Sequence, residues 1–333
     1  MTEPLRTLLR RRGNDHQELT RQFETVTGHP WHAPGALPPR PDVSVIIPAH
    51  NVAYCLPAVL DALARQTIRA EVLVVDDASI DGTVTIARAH PAVDQVLRLP
   101  ERLGAATARN VGAAAASATT IVFLDADMVL PPHVLADLAA RARDDAVLIG
   151  FRHNIAYGTA LPETPGIEAD HRVRWRPPIG TRLMYSGIVL DRPVDGRPLD
   201  DTRDLFDLGY GRTYYDWDLP RMVVTALVAV PRHALFDVGG FDPEFGRLGW
   251  GMEDTHLGAT LIAAGLLVIP LRQAVGFHLD PPDAATLWQA KLASWPATLH
   301  HYRSLLEAPA PRGRTAAFTA AAHRLLSRCE VLR

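Results

Sequence analysis

The chain has 333 residues and a mass of 36.4 kDa, with 47% hydrophobic residues, which is long and apolar enough to bury a sizeable core and excludes a disordered chain. Its 34 basic and 37 acidic residues leave a net charge of −3, which argues against a generally basic nucleic-acid binder. Two lone cysteines, Cys55 and Cys329, with no CxxC or Cys/His spacing, exclude a disulfide scaffold and a zinc module.

In chain order, residues 1–40 read as a helical extension and linker. Leu5, Leu8 and Leu9 form one apolar face, Gly13 interrupts it, and His29–Pro41 is rich in Pro and Gly. This arm either lies in solvent or packs onto the domain or a partner. Met1–Asp15 carries Arg where a signal peptide needs an apolar stretch. From Val43 the pattern alternates. Strands are predicted at Val43–Ile47, Glu71–Val75, Gln95–Leu99, Thr120–Leu124 and Ala146–Gly150. Helices are predicted at Tyr54–Arg65, from Asp81 or Gly82 to His90, at Gly104–Ser117 and at Pro131–Arg143. Such strand–helix repeats imply a mostly parallel sheet covered by helices. Residues 152–220 lose this regularity and read as a functional loop region. A strand at Met222–Val230, a helix at Glu253–Ala264, a strand near Leu267–Pro270 and helices at Ala284–Leu306 and Thr315–Leu326 follow. The longest apolar run, near Ala259–Leu271, is shorter than the roughly 20 residues that span a bilayer. The expectation is a cytoplasmic protein without a transmembrane segment, and Arg-rich residues 6–12 leave room for peripheral association with a membrane. Lys291 is the only Lys, which reads as composition bias.

In open parallel sheets, ligands sit beyond the carboxyl ends of the strands. Three predicted strands end in polar clusters: Pro48-Ala49-His50-Asn51, Asp76-Asp77-Ala78-Ser79 and Asp125-Ala126-Asp127. One Asp after a strand is an ordinary cap or turn residue. Three clusters at successive ends bring carboxylates together, and a bound cation relieves their repulsion. Oxygen ligands suit Mg²⁺ or Mn²⁺, which also bind phosphate.

The segments Val43–Asn51, Val74–Thr83, Ala108–Gly112 and Phe123–Asp127, in this order and spacing, resemble the family 2 glycosyltransferases of the GT-A fold. The likeness covers about residues 43–150. It resumes at Gly239–Phe245 and Gly249–Asp254, a block similar to that of β-1,4-galactosyltransferases, polypeptide N-acetylgalactosaminyltransferases and chondroitin-polymerase-type enzymes. Residues 1–40, 152–220 and 283–333 match no motif of the family. The resemblance implies a Rossmann-like α/β fold with a mostly parallel central sheet and helical extensions at both ends. Residues 41–150 would form its nucleotide-sugar half, 151–282 its acceptor and catalytic half, and 283–333 its C-terminal helices.

The resemblance also implies roles. Asp127 would bind the divalent metal, Mn²⁺ or Mg²⁺, with Asp125 and Ala126 nearer the ribose or sugar. His278, in Val275-Gly-Phe-His-Leu-Asp280, would complete the metal site. Asp77 would read the nucleobase, with Pro48, Ala49 and Asn51 lining its pocket; a carboxylate suits the uracil N–H, and thymine offers the same group. Arg109 would meet phosphate or ribose, or else lie on a helix surface. Asp254 would be the general base of an inverting displacement, Glu253 would bind sugar hydroxyls, and Trp250 with Gly251 would face a sugar ring or serve packing. The implied donor is a UDP-sugar. The acceptor stays open among glycan, glycolipid, peptide and small natural product. It would meet segment 152–220, which holds Arg172, Arg174, Trp175, Arg176, Tyr185, Tyr210, Tyr214, Tyr215 and Trp217. The rival readings are a non-catalytic nucleotide- or glycan-binding protein and a sugar-nucleotidyltransferase, although no Gly/Lys-rich phosphate loop follows the first strand.

Overall fold

A computed structural model of the chain describes residues 3–12, 42–166, 170, 182–184, 188–190 and 218–333. The nine aromatic and Arg positions named above for the acceptor all lie outside the described residues.

A nine-stranded sheet forms the centre. Its strands are β1 (Val43–Ala49), β2 (Glu71–Asp76), β3 (Gln95–Arg98), β4 (Thr120–Leu124), β5 (Met128–Val129), β6 (Ala146–Ile155), β9 (Leu227–Pro231), β10 (Leu267–Leu279) and β11 (Glu330–Val331). Their spatial order is β11-β3-β2-β1-β4-β9-β6-β10-β5. Strands β1, β2, β3, β4, β6 and β10 run one way, and β5, β9 and β11 run the other. A separate short hairpin pairs β7 (Arg182–Met184) with β8 (Ile188–Leu190).

The central strands are buried on both faces, which is why β1 reads Val-Ser-Val-Ile-Ile rather than alternating. Helices α2 (Leu56–Ala64), α3 (Thr83–Ala89), α4 (Ala105–Ala115) and α5 (Val134–Arg141) connect the strands of the first half. The short helices α6 (Asp218–Met222), α7 (Arg232–Asp237) and α8 (Glu244–Leu248) precede α9 (Glu253–Ala263), α10 (Ala284–Glu307) and α11 (Thr315–Leu326). The N-terminal helix α1 (Leu5–Arg11) packs onto α9 and α10, and its Leu5 and Leu9 are fully buried. So the apolar face of the arm belongs to the main core. Among the described residues no helix is long and apolar enough to cross a membrane.

Three predicted elements need correction. The strand predicted at Ala146–Gly150 runs on to Ile155, because it pairs with β10 along that length, so the segment read as loop begins later than expected. The apolar run from Met222 is not a strand throughout: α6 ends at Met222, residues 223–226 form a connection, and β9 begins at Leu227. All of it is buried, so a tightly enclosed loop reads like a strand. The strand predicted near Leu267–Pro270 runs on to Leu279, with an irregularity between Pro270 and Val275. The polar pair Arg272-Gln273 at that irregularity breaks the apolar pattern, so the sequence reading stops short.

Candidate functional site

The carboxyl ends of β1, β2 and β4 open on two adjoining cavities of about 740 and 580 Å³. The larger holds Asp125, Asp127, Trp250, Glu253, Asp254 and His278. The smaller holds Asp77 and Gly104, and both are lined by His50, Trp250, Glu253 and Lys291.

The long β10 creates one feature. It pairs antiparallel with the short β5, which sets His278 opposite Met128, and the Leu279 N–H donates to the Asp127 carbonyl. His278 Nε2 thereby comes within 3.4 Å of Asp127 Oδ1. Ligand atoms of Asp125, Asp127 and His278 all lie within 4.8 Å of one another. Asp127 Oδ1 is buried without a hydrogen bond among the described residues. Burial raises the Asp127 pKa; His278 opposes the rise and Asp125 adds to it. A buried, unsatisfied carboxylate oxygen beside a second carboxylate and an imidazole fits a divalent cation such as Mn²⁺ or Mg²⁺.

The connection before β9 creates the second feature. Thr225 Oγ1 donates to Asp254 Oδ1 at 2.7 Å, and the Thr225 N–H donates to Asp254 Oδ2 at 3.1 Å. The next residue, Ala226, accepts from the Asp125 N–H. This short segment therefore ties the carboxylate of α9 to the end of β4. Thr225 was invisible in sequence because its partner lies 29 residues away.

Arg109 joins the two features. Its guanidinium donates to Asp125 Oδ1 at 2.8 Å and lies 3.8 Å from Glu253 and 3.7 Å from Asp254. The side chain is 5% exposed, so the helix-surface alternative for Arg109 is excluded. Burial works against its charge, but Asp254, Asp125 and Glu253 outweigh burial and hold the pKa above the ordinary Arg value. Burial raises the Asp254 pKa, and Arg109 opposes that rise. Burial, with Asp254 beside it, pushes Glu253 to about 7.

The loop carrying Trp250 is fixed rather than loose. Trp250 N–H donates to Ser294 Oγ, and Thr298 Oγ1 donates to the Trp250 carbonyl. A Cβ on Gly249 would clash with Ser294 Cβ, and one on Gly251 would fall 2.6 Å from the Trp295 ring. Both glycines have positive φ, so this tight seat on α10 requires them. The Trp250 ring packs against Trp288 and Trp295 with centroids 5.8 and 5.7 Å away.

On the opposite wall, Asp77 is buried and accepts from the Leu103 N–H (2.6 Å) and Gly104 N–H (2.9 Å). His50 Nδ1 meets the Asp77 carbonyl, and Asn51 Oδ1 accepts from the Ile80 N–H. Asn51 itself is in the left-handed region, at φ 54°. Ala49 accepts from the Asp77 N–H, and Pro48 pairs with Val75 inside the sheet. Ala126 is buried, and its carbonyl accepts from Cys55 Sγ. Pro48, Ala49 and Ala126 line neither cavity.

Residues 44–187 match glycosyl transferase family 2. A PGL/p-HBAD biosynthesis glycosyltransferase of Mycobacterium bovis is 31% identical over 221 residues, which is 62% of this chain and 79% of that protein. The chain belongs to glycosyl transferase family 2. This family 2 chain is also 35% identical over 263 residues to validoxylamine A glucosyltransferase of Streptomyces hygroscopicus subsp. jinggangensis. The match takes in 74% of this chain and 57% of that relative, so the chain spans a little over half the length of the relative. Among solved structures, mannosyltransferase PcManGT from Pyrobaculum calidifontis, in complex with GDP-Man and Mn²⁺, resembles the family 2 chain at a TM-score of 0.51. The two are 21% identical, over 97% of this chain and 87% of the other. The family 2 chain thus has the GT-A fold.

Proposed function

We propose that the chain transfers a sugar from a nucleoside diphosphate donor to an acceptor hydroxyl with inversion at the anomeric carbon. The observation that carries this reading is the Asp254 carboxylate, fixed by Thr225 in the same cavity as Asp125, Asp127 and His278. Asp254 takes the proton of the acceptor hydroxyl. As it does so, the acceptor oxygen bonds to the anomeric carbon and the bond to the diphosphate breaks on the opposite face. Arg109 opposes the rise that burial gives the Asp254 pKa, and Thr225 orients the carboxylate. Glu253 and Trp250 face the sugar. Asp125, Asp127 and His278 would hold Mn²⁺ or Mg²⁺, which supplies positive charge to the leaving diphosphate when bound.

The position of Asp77 supports a uracil or thymine base, and a UDP-sugar is the proposed donor. Similarity to validoxylamine A glucosyltransferase supports glucose as the sugar. The GDP-Man and Mn²⁺ of the mannosyltransferase make GDP-mannose the donor to set against it. The test is donor turnover with UDP-glucose, UDP-N-acetylglucosamine and GDP-mannose, each with and without Mn²⁺. Turnover of a UDP-sugar that needs the cation is expected. Asp254→Asn should lower it about 10²- to 10⁴-fold and leave nucleotide binding intact. Undiminished turnover in Asp254→Asn removes that residue from the mechanism, and inert folded wild-type protein removes the transferase reading.

A further inference from the structure

Lys291 is the only lysine among 34 basic residues, and it lies on α10 beside the cavities rather than on the outer surface. Its ammonium sits 5.0 Å from the centroid of the Trp250 ring. It lines both cavities, and its charge acts on the Asp127 carboxylate. Among the described residues it makes no ion pair. The other cation that lines both cavities, Arg102, is exposed, whereas Lys291 is half-buried. Arg109 is committed to Asp125, Glu253 and Asp254.

The placement has a consequence for a bound donor. In the reading proposed above, the nucleobase meets Asp77 in the smaller cavity, and the cation-binding side chains lie in the larger one. The diphosphate joins the two ends of the donor, so it must cross the boundary on which Lys291 stands. We propose that Lys291 is a binding residue for the donor diphosphate, held over Trp250 until phosphate oxygens take the ammonium. A lysine suits this task where the rest of the chain uses Arg. It is a compact charge with three rotatable donors on a flexible stem, able to leave an aromatic face for a phosphate. An Arg fork would be set by stacking and bidentate geometry. The single lysine, taken from sequence as composition bias, therefore occupies a position where its chemistry matters.

This inference rests on the donor-site reading, and the experiment separates the two. Reductive methylation with ¹³C-formaldehyde labels the Lys291 ε-amine and the N-terminal amine while keeping their charge. The Lys291→Gln variant identifies which resonance belongs to Lys291. The labelled protein is titrated with UDP, GDP and dTDP in Mg²⁺, and with uridine as a control without phosphate. Calorimetry of unlabelled wild type and Lys291→Gln runs in parallel. The expected result is a saturable shift of the Lys291 resonance with a nucleoside diphosphate and none with uridine. Lys291→Gln should bind that diphosphate about tenfold more weakly, and Lys291→Arg should recover part of the loss. Diphosphate binding by calorimetry with an unmoved Lys291 resonance and an unchanged Kd in Lys291→Gln overturns the assignment of Lys291 and leaves the donor site standing. No diphosphate binding by folded wild-type protein overturns the donor site, and this inference with it.

Discussion

One guanidinium answers three carboxylates in this site. Arg109 reaches Asp125 at the end of β4 and Glu253 and Asp254 at the start of α9. Three acids around one base leave excess negative charge, and burial makes that excess costly. The cost appears at Glu253, which is pushed to about 7 from an ordinary value of 4.5. Its Oε2 is buried without a hydrogen bond among the described residues. Between those two values the folded protein keeps a proton that the unfolded chain has released. The group's contribution to stability is therefore full below about 4.5 and is lost as pH rises through 7. Glu253→Gln keeps the shape and removes the titration. Denaturant unfolding at pH 5 and pH 8 should show wild type losing stability relative to Glu253→Gln as pH rises. Parallel pH dependence of the two proteins would mean that Glu253 does not titrate in this range.

Among the elements, the seat of the Trp250 loop on α10 decides how the acidic end of α9 is held. Trp250, Gly251 and Met252 lead directly into Glu253 and Asp254, and the loop is anchored by Ser294 and Thr298. Ser294→Ala removes the acceptor for the Trp250 N–H and should cost about 1 kcal/mol. Gly249→Ala drives a methyl into Ser294 and should cost about 1–3 kcal/mol, with the larger loss of kcat/KM because Asp254 follows the loop. Urea unfolding and donor turnover on the same two variants check both parts; a Gly249→Ala protein with full turnover would show that the seat does not position Asp254. Much of this scale was legible in the sequence. The β-branched runs and their polar ends gave β1, β2 and β4 nearly to the residue, because strands buried on both faces carry a continuous apolar signal. The Gly249-Trp-Gly-Met-Glu-Asp254 block stood out, but its seat on α10 did not, since Ser294 and Trp295 carry no motif. The second half of β10, beyond Arg272-Gln273, was not legible, and with it the strand pairing that brings His278 to Asp127. Thr225 and Lys291 were missed for a similar reason: each matters through a contact made only once the chain is folded.

Across the whole molecule, one sheet carries site residues from elements on both sides of β9 in the chain. Strands β1, β2 and β4 present Asn51, Asp77 and Asp125 at their carboxyl ends. The elements that follow β9 present Asp254, His278 and Lys291 from the other side. Strand β9 lies antiparallel between β4 and β6 and so joins the strands on either side of it into one sheet. A donor that touches both sides must therefore stabilise the fold as a unit, and its effect should depend on the candidate cation set. A ligand at a hundredfold over its Kd adds about 2.7 kcal/mol to folding stability. At about 2 °C per kcal/mol for a chain of this size, that is a rise of roughly 5 °C in Tm. UDP with Mn²⁺ should give such a rise, and UDP or Mn²⁺ alone should give much less. Asp127→Asn removes one of three candidate ligands and a half-buried charge that desolvation already opposes. The variant should be at least as stable as wild type without ligand and should lose the joint response to UDP and Mn²⁺. An equal rise in wild type and Asp127→Asn would take the cation away from Asp127, and a rise with UDP alone would mean that the protein's own cations suffice for the diphosphate.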